Sequence, residues 1–362
     1  MNFVDLPPAG WSFLSDHTVT VPRTLIKGIL PYQGIAFIGG QSGAGKTFLA
    51  SHMAVCLGSA SAFFGRAVQE RVGVGILAAE GAEAIGNRLT AAAQALGLDI
   101  RDLPIAWRGS APLKSERDVE GFADQLLELG RYLTAQYDAR FGVAILDTVA
   151  ATFDMEDEDS NSEVAKAIKK MRVLGAKFSG LVVPIHHYGK TAATGLRGGS
   201  AWRAGADVVL SVLCDRNELT GEVSNRQLAL AKARDGIEGP IAPFDLTFAE
   251  LGMDGDEPFG TLIVQPSERP AKQASPKPLT ADQKLALTAL ANCDTTKAPP
   301  GLPVPAGTMV VEIGRWKAEL FARGILDKDA ANPRQDFKRL KTQLQVRNEI
   351  GIRDQFVWRA AS

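Results

Sequence analysis

The stretch Ile35-Ala-Phe-Ile-Gly-Gly40-Gln-Ser-Gly-Ala-Gly45-Lys46-Thr47-Phe48-Leu49-Ala50 decides the fold. A short apolar run ends in glycines, and beyond a small-residue turn Thr47 to Gly58 carries helical spacing. Gly40 to Thr47 satisfies the pattern G-x-x-x-x-G-K-[ST] in the strand–turn–helix context that gives the pattern meaning. Glycines let backbone N–H groups curl around an anion, and the helix N-terminus adds a favourable dipole. Gly40, Gln41, Ser42, Gly43, Ala44, Gly45, Lys46, Thr47 and Phe48 are therefore expected to hold a nucleotide, with ATP and Mg²⁺ as the ligands. Lys46 is expected on the β- and γ-phosphates, and the Thr47 hydroxyl on the metal.

Working outward, further compact apolar runs lie at Val74–Glu80, Gly142–Thr148, Leu181–His187 and Ala206–Leu213. Helical stretches at about Ala84–Leu96 and Ser162–Phe178 separate them, and Arg226–Arg234 alternates at period two. Continuous apolar runs alternating with helices predict an α/β fold, a mostly parallel sheet flanked by helices on both faces. Ligands in such sheets bind beyond the carboxyl ends of the strands.

Several polar residues stand at those ends. Asp147 closes Val-Ala-Ile-Leu-Asp, as a carboxylate delivered to a metal would, although Asp also opens helices. Glu80 closes the Val74 run and suits the role of orienting or deprotonating an attacking water; the plainer reading is a strand-end acid opening the next helix. Arg88 either braces this site or lies on a solvated helix face. His186 and His187 end the fourth run: a polar side chain there could sense the γ-phosphate, and one of the pair fits a structural role. No carboxylate or further histidine stands at metal-ligand spacing from them. The segment that follows, to Ser200, carries Lys190 and Arg197 among small residues and glycines and reads as a basic loop. Lys232 and Arg234 close the period-two strand. They are not expected to reach the phosphate loop of their own chain, because the strand comes late in sheet order; in a ring they would face a neighbour's nucleotide.

Composition sets the outer limits. The 362 residues carry 40 basic and 41 acidic side chains, with 45% hydrophobic residues, so a packed core is expected and wholesale disorder is not. No apolar run is long enough to span a membrane, no secretory signal opens the sequence, and three widely spaced cysteines form no disulfide or metal framework; a reduced, cytoplasmic setting is the expectation. The segment Gln265–Pro278, rich in Pro, Ser and Lys, reads as a linker between a core at 1–264 and a tail at 279–362. The tail holds 13 basic against 9 acidic residues, whereas the remainder holds 27 against 32. Helices are predicted at Thr280–Ala291, Val310–Arg323 and Pro333–Val346, then a short strand pair. Three helices and a hairpin suggest a winged-helix module contacting duplex DNA or a protein, with Arg334, Lys338, Arg339 and Lys341 clustered on the third helix.

Taken in order from about Val21 to Phe248, these motifs resemble the RecA-fold ATPases, and within them the RepA-like hexameric helicases of plasmids and prophages. The resemblance implies a ring-forming, hexameric homo-oligomer that hydrolyses Mg-ATP at subunit interfaces and moves single-stranded DNA. It implies Glu80 as catalytic base, Asp147 and Thr47 on the metal, His187 as sensor, and Lys232 with Arg234 as basic groups inserted into the adjacent subunit's site. Channel-lining loops would be about Phe153–Ser162 and Lys190–Ser200. The first departs from the family, since Asp154, Glu156, Asp157, Glu158 and Asp159 make a poor surface for a phosphate backbone, which shifts the implied nucleic-acid contact to Lys190 and Arg197 of the second. Two other readings stand beside it: an oligomeric ATPase switch that recruits partners without unwinding, and a phosphotransferase, which shares the first motif and would need a substrate pocket.

Overall fold

The computed structural model describes the chain apart from residues 1–12, 15–16, 80, 110–111, 159, 189–199, 218, 235, 269–278, 300–301, 303, 305–306, 331, 348 and 361–362. The chain divides into two units, Met1–Gln273 and Ala274–Ser362. In the first, the order is β1 (Thr24–Ile26), β2 (Leu30–Pro31), β3 (Gly34–Gly40), α1 (Lys46–Ser59), β4 (Gly73–Ala78), α2 (Ala82–Ala95), β5 (Ile105–Arg108) and α3 (Glu116–Tyr137). Then come β6 (Phe141–Asp147), α4 (Val149–Phe153), α5 (Asn161–Phe178), β7 (Leu181–His187), α6 (Ser200–Gly205), β8 (Val208–Arg216), β9 (Val223–Ala233), β10 (Gly239–Asp254) and β11 (Glu257–Pro266).

The nine-stranded sheet has the order β11-β10-β9-β8-β3-β7-β6-β4-β5. The strands from β8 to β5 are parallel, and β9, β10 and β11 add antiparallel. The apolar runs are continuous because both faces of the parallel part are covered. On β3, Ala36 and Ile38 pack with Leu49, Met53 and Ile85 of α1 and α2. Ile35 and Phe37 point the other way, into Phe122, Leu126 and Met171 of α3 and α5. The fold is the α/β, mostly parallel architecture expected of a RecA-like core.

Helix α3 and the β10–β11 hairpin are among the elements of this unit that the sequence does not announce. Helix α3 begins with a capping box in which Asp118 N–H donates to Ser115 Oγ (3.1 Å) and Ser115 N–H to Asp118 Oδ2 (2.7 Å). The β10–β11 hairpin is obscured by Pro240 and Pro243, which argue against an inner strand. Both prolines pair opposite β9, and the register slips at a bulge between Pro240 and Ala242.

The second unit comprises α7 (Ala281–Ala291), β12 (Thr296–Lys297), β13 (Met309–Glu312), α8 (Ile313–Ala322), α9 (Pro333–Val346), β14 (Ile350–Arg353) and β15 (Phe356–Arg359). Its sheet runs β12-β13-β15-β14, antiparallel throughout. One helix was expected over Val310–Arg323, and this is corrected: the stretch opens as strand β13, and the helix starts at Ile313. Val310 and Val311 are β-branched and pair with Thr296 and Val357, so sheet pairing wins over helical continuation. Trp316 is fully buried among Leu287, Leu320, Phe337 and Leu340, and its Nε1–H donates to Ala286 O (3.0 Å).

Candidate active site at the phosphate loop

The loop between β3 and α1 forms because only glycine suits its backbone and its surroundings at the critical points. Gly43 and Gly45 adopt φ of +75° and +99°. A side chain on Gly45 would also meet Leu246 of β10 at 2.9 Å, and one on Gly40 would meet the Val212 carbonyl of β8 at 2.6 Å. The loop is thus clamped by the antiparallel extension as well as by its own strand. Arg216, at the end of β8, donates from Nη1 to Ser42 O (2.9 Å).

Lys46 opens α1 and is 7% exposed. Its ammonium donates to Gly40 O (3.0 Å) and Gln41 O (2.9 Å) and lies 3.1 Å from His187 Nδ1. An ammonium only donates, so His187 Nδ1 accepts in this contact. The Tyr188 N–H donates to Gly40 O (2.9 Å), which ties the end of β7 to the first loop glycine. A buried cation satisfied by loop carbonyls, inside a turn built of positive-φ glycines, fits a polyphosphate that would replace those carbonyls.

Thr47 Oγ1–H donates to Asp147 Oδ2 (2.8 Å), and Asp147 is 4% exposed at the end of β6. A hydroxyl and one carboxylate side by side are hard oxygen ligands of the kind Mg²⁺ takes with phosphate oxygens and water. Among the described residues no group of three or more His, Cys, Asp or Glu could hold a metal ion. Ala79 N–H donates to Asp147 O (2.7 Å), joining the ends of β4 and β6. Glu80, the expected base, lies outside the described residues, as do Lys190 and Arg197.

The remaining candidates separate clearly. The Arg88 guanidinium lies over the Phe48 ring, 4.8 Å from its centroid, so it packs beside the loop helix. His186 is buried against Trp202 (4.7 Å between rings) and Phe37, the structural member of the pair. Lys232 Nζ donates to Arg203 O (2.6 Å) and Ala206 O (2.7 Å), closing the end of α6. Burial pushes the Lys232 ammonium below the ordinary lysine value, and the nearby Arg234 charge adds to this. Arg234 pairs with Asp207 (3.0 Å).

Neither Lys232 nor Arg234 is near its own phosphate loop. The reason is direction rather than sheet order: β9 lies only two strands from β3, but it runs antiparallel. The Arg234 N–H donates to Asp207 O, whose own N–H donates to Ile35 O. Arg234 is therefore level with Ile35, five residues below Gly40 on β3, or roughly 16 Å at the strand rise. The contacts of Arg216 and Leu246 with the loop were missed in the sequence, because they depend on β8 and β10 standing beside it.

A family model described as an AAA domain matches residues 5–193, just over half of the chain, and covers the phosphate loop, Asp147 and His187. The chain belongs to the AAA domain family. It is accordingly a P-loop-type ATPase that binds nucleotide, and it carries ATP hydrolase chemistry in general. No curated protein matches it. The AAA domain match ends before β8, so Lys232, Arg234 and the whole second unit lie beyond it. Among the described residues no helix is long and apolar enough to cross a membrane.

Proposed function

We propose that this AAA domain protein is a hexameric, ring-forming motor of the RepA-like helicase type, acting in the cytoplasm on single-stranded DNA in plasmid or prophage replication. In this reading Lys46 neutralises phosphate charge, and Thr47 and Asp147 hold Mg²⁺. Mg²⁺ held there would offset phosphate charge. Glu80 orients the attacking water, and His187 trades its contact with Lys46 for the γ-phosphate. Lys190 and Arg197 contact the strand, and the second unit serves as a winged-helix-like attachment.

The observation that carries the reading is the state of Arg234. It stands roughly 16 Å in strand rise from its own loop, half-exposed and held by one pair with Asp207. An exposed pair of this kind is worth at most about 1 kcal/mol, so the guanidinium can leave it for a neighbour's phosphate at little cost. An arginine supplied in trans stabilises transition-state charge by about 10³–10⁵ in rate. Lys232, tied to α6, would transmit rather than touch.

ATP turnover measured with and without single-stranded DNA tests the motor. Several-fold stimulation is expected. Turnover indifferent to DNA would favour the switch reading, for which the acidic stretch after α4 speaks: Asp154 is already paired with Lys114 (2.6 Å), and its neighbours Glu156, Asp157 and Glu158 repel a phosphate backbone. Transfer of the phosphoryl group to an acceptor other than water would instead point to a phosphotransferase.

A further inference from the structure

The second unit has its own core and carries no residue of the nucleotide site, so its surface calls for a separate account. Helix α9 is held by one stripe: Phe337, Leu340 and Leu344 are buried against α7, α8 and the small sheet. Asn332 caps it by accepting from Gln335 N–H, and Pro333 occupies its first turn. The opposite ridge is exposed and consists of Gln335, Lys338, Arg339 and Thr342, with Arg334 and Gln345 flanking it. At 100° per residue these side chains share a face turned away from the buried stripe.

The chemistry of that ridge is unusual for a merely solvated face. It contains amides, a hydroxyl and cations but no acid. The helix's one carboxylate, Asp336, lies to the side and pairs with Arg339 (3.2 Å). Among the described residues no ion pair engages Arg334 or Lys338. Lys341 and Lys317 lie over the Phe337 ring, at 5.8 and 5.6 Å, adding positive charge at the margin. The β14–β15 hairpin turns at Asp354 with φ of +55°, and Arg353 beside that turn is exposed.

We propose that α9 enters the major groove of duplex DNA and reads base edges through Gln335, Lys338 and Thr342, while Arg353 of the hairpin grips the backbone. Glutamine pairs with adenine edges, lysine with guanine O6 and N7, and threonine with either hydrogen-bonding edges or the thymine methyl. The reading ridge from Gln335 to Thr342 spans about 10 Å of helix, the length of about three base pairs. Gln335 Oε1 accepts from Asn332 Nδ2 (2.9 Å), a local exposed contact that it would exchange for a base edge. Cations beside an amide and a hydroxyl favour duplex DNA, which offers phosphates and hydrogen-bonding base edges together, over an acidic protein surface. The inference is independent of the motor reading, since it needs neither nucleotide nor a ring.

The test uses the full chain without nucleotide, incubated with a randomised duplex pool from which bound sequences are recovered and their affinities measured. The expected result is an enriched motif of about three adjoining base pairs bound in preference to the same sequence as single strand or RNA. Gln335→Ala with Lys338→Ala should weaken that motif by about 5- to 150-fold and erase the preference. Arg353→Ala should weaken all duplexes alike and lower the salt slope by about 0.9. All three positions are exposed, so an unchanged melting temperature is expected to accompany the loss. Thr342→Val, which keeps shape and removes the hydroxyl, gives a second reading of the same contact. Recovery of no motif, equal affinity in the double variant, or preference for single strand or RNA would overturn the proposal.

Discussion

The two ends of strand β3 make opposite use of charge. At the carboxyl end, Lys46 and Asp147 are almost wholly buried, and their partners lie within 3.1 Å on fixed backbone or neighbouring strands. At the other end, Arg234 is more than half exposed and has a single carboxylate partner. Buried charges cost heavily to disturb and therefore specify one geometry, whereas an exposed pair is worth little and can be exchanged. One end is thus fixed in a single arrangement, and the proposal above gives the other, exchangeable end to a neighbouring chain. The parallel strands build the gripping end, and the antiparallel turn-back of β9 creates the available one.

The largest expected effect separates turnover from stability. Arg234→Ala should lower ATP turnover by about 10³–10⁵-fold, while the denaturant midpoint of the variant moves by less than about 1 kcal/mol equivalent. A turnover near that of the unmodified chain would break the contrast between the ends. Lys46→Ala should cost about 10²–10³-fold in turnover and should also weaken nucleotide binding, which Arg234→Ala spares; equilibrium binding of a fluorescent nucleotide distinguishes the two.

The flank of α1 supplies a pH prediction. Burial lowers the His52 pKa from 6.5 to about 4, and the ring packs against Phe63 and Phe64. The unfolded chain takes up this proton first as pH falls, so stability is complete above pH 6.5 and is lost towards pH 4. The full loss from this group amounts to about 3 kcal/mol. Denaturant midpoints of His52→Phe and the unmodified chain should diverge with pH between 7 and 4, the variant being flatter. Parallel curves would show that His52 is not the buried neutral group described here.

Lys232→Met should be the mildest of the four. It removes the donor to the carbonyls of Arg203 and Ala206 and should cost about 1–2 kcal/mol of stability. If its loss of turnover equals that of Arg234→Ala while its midpoint is unchanged, Lys232 acts in the neighbour's site rather than through α6.

The parallel half of the sheet was legible because its signals are local: each apolar run closes on a polar residue at a strand end, as at Asp147 and His187. The antiparallel half hid its role. Pro240 and Pro243 mask β10, and nothing near Leu246 in sequence says that it will press on Gly45. The histidine pair shows the same limit, since strand alternation sends His186 into Trp202 and His187 to Lys46, and only packing reveals which is which. In the second unit Val310 and Val311 read as helix until pairing with β12 and β15 is known.

The central claim is that each active centre is completed by the adjacent chain. Glu80→Ala and Arg234→Ala should each be inactive alone, each spoiling a different side of the interface. Mixed in equal amounts, they should regain turnover, with about a quarter of head-to-tail interfaces intact. ATP turnover of that mixture is the direct measurement: clear recovery is predicted, and a rate no higher than that of either variant alone would contradict the account.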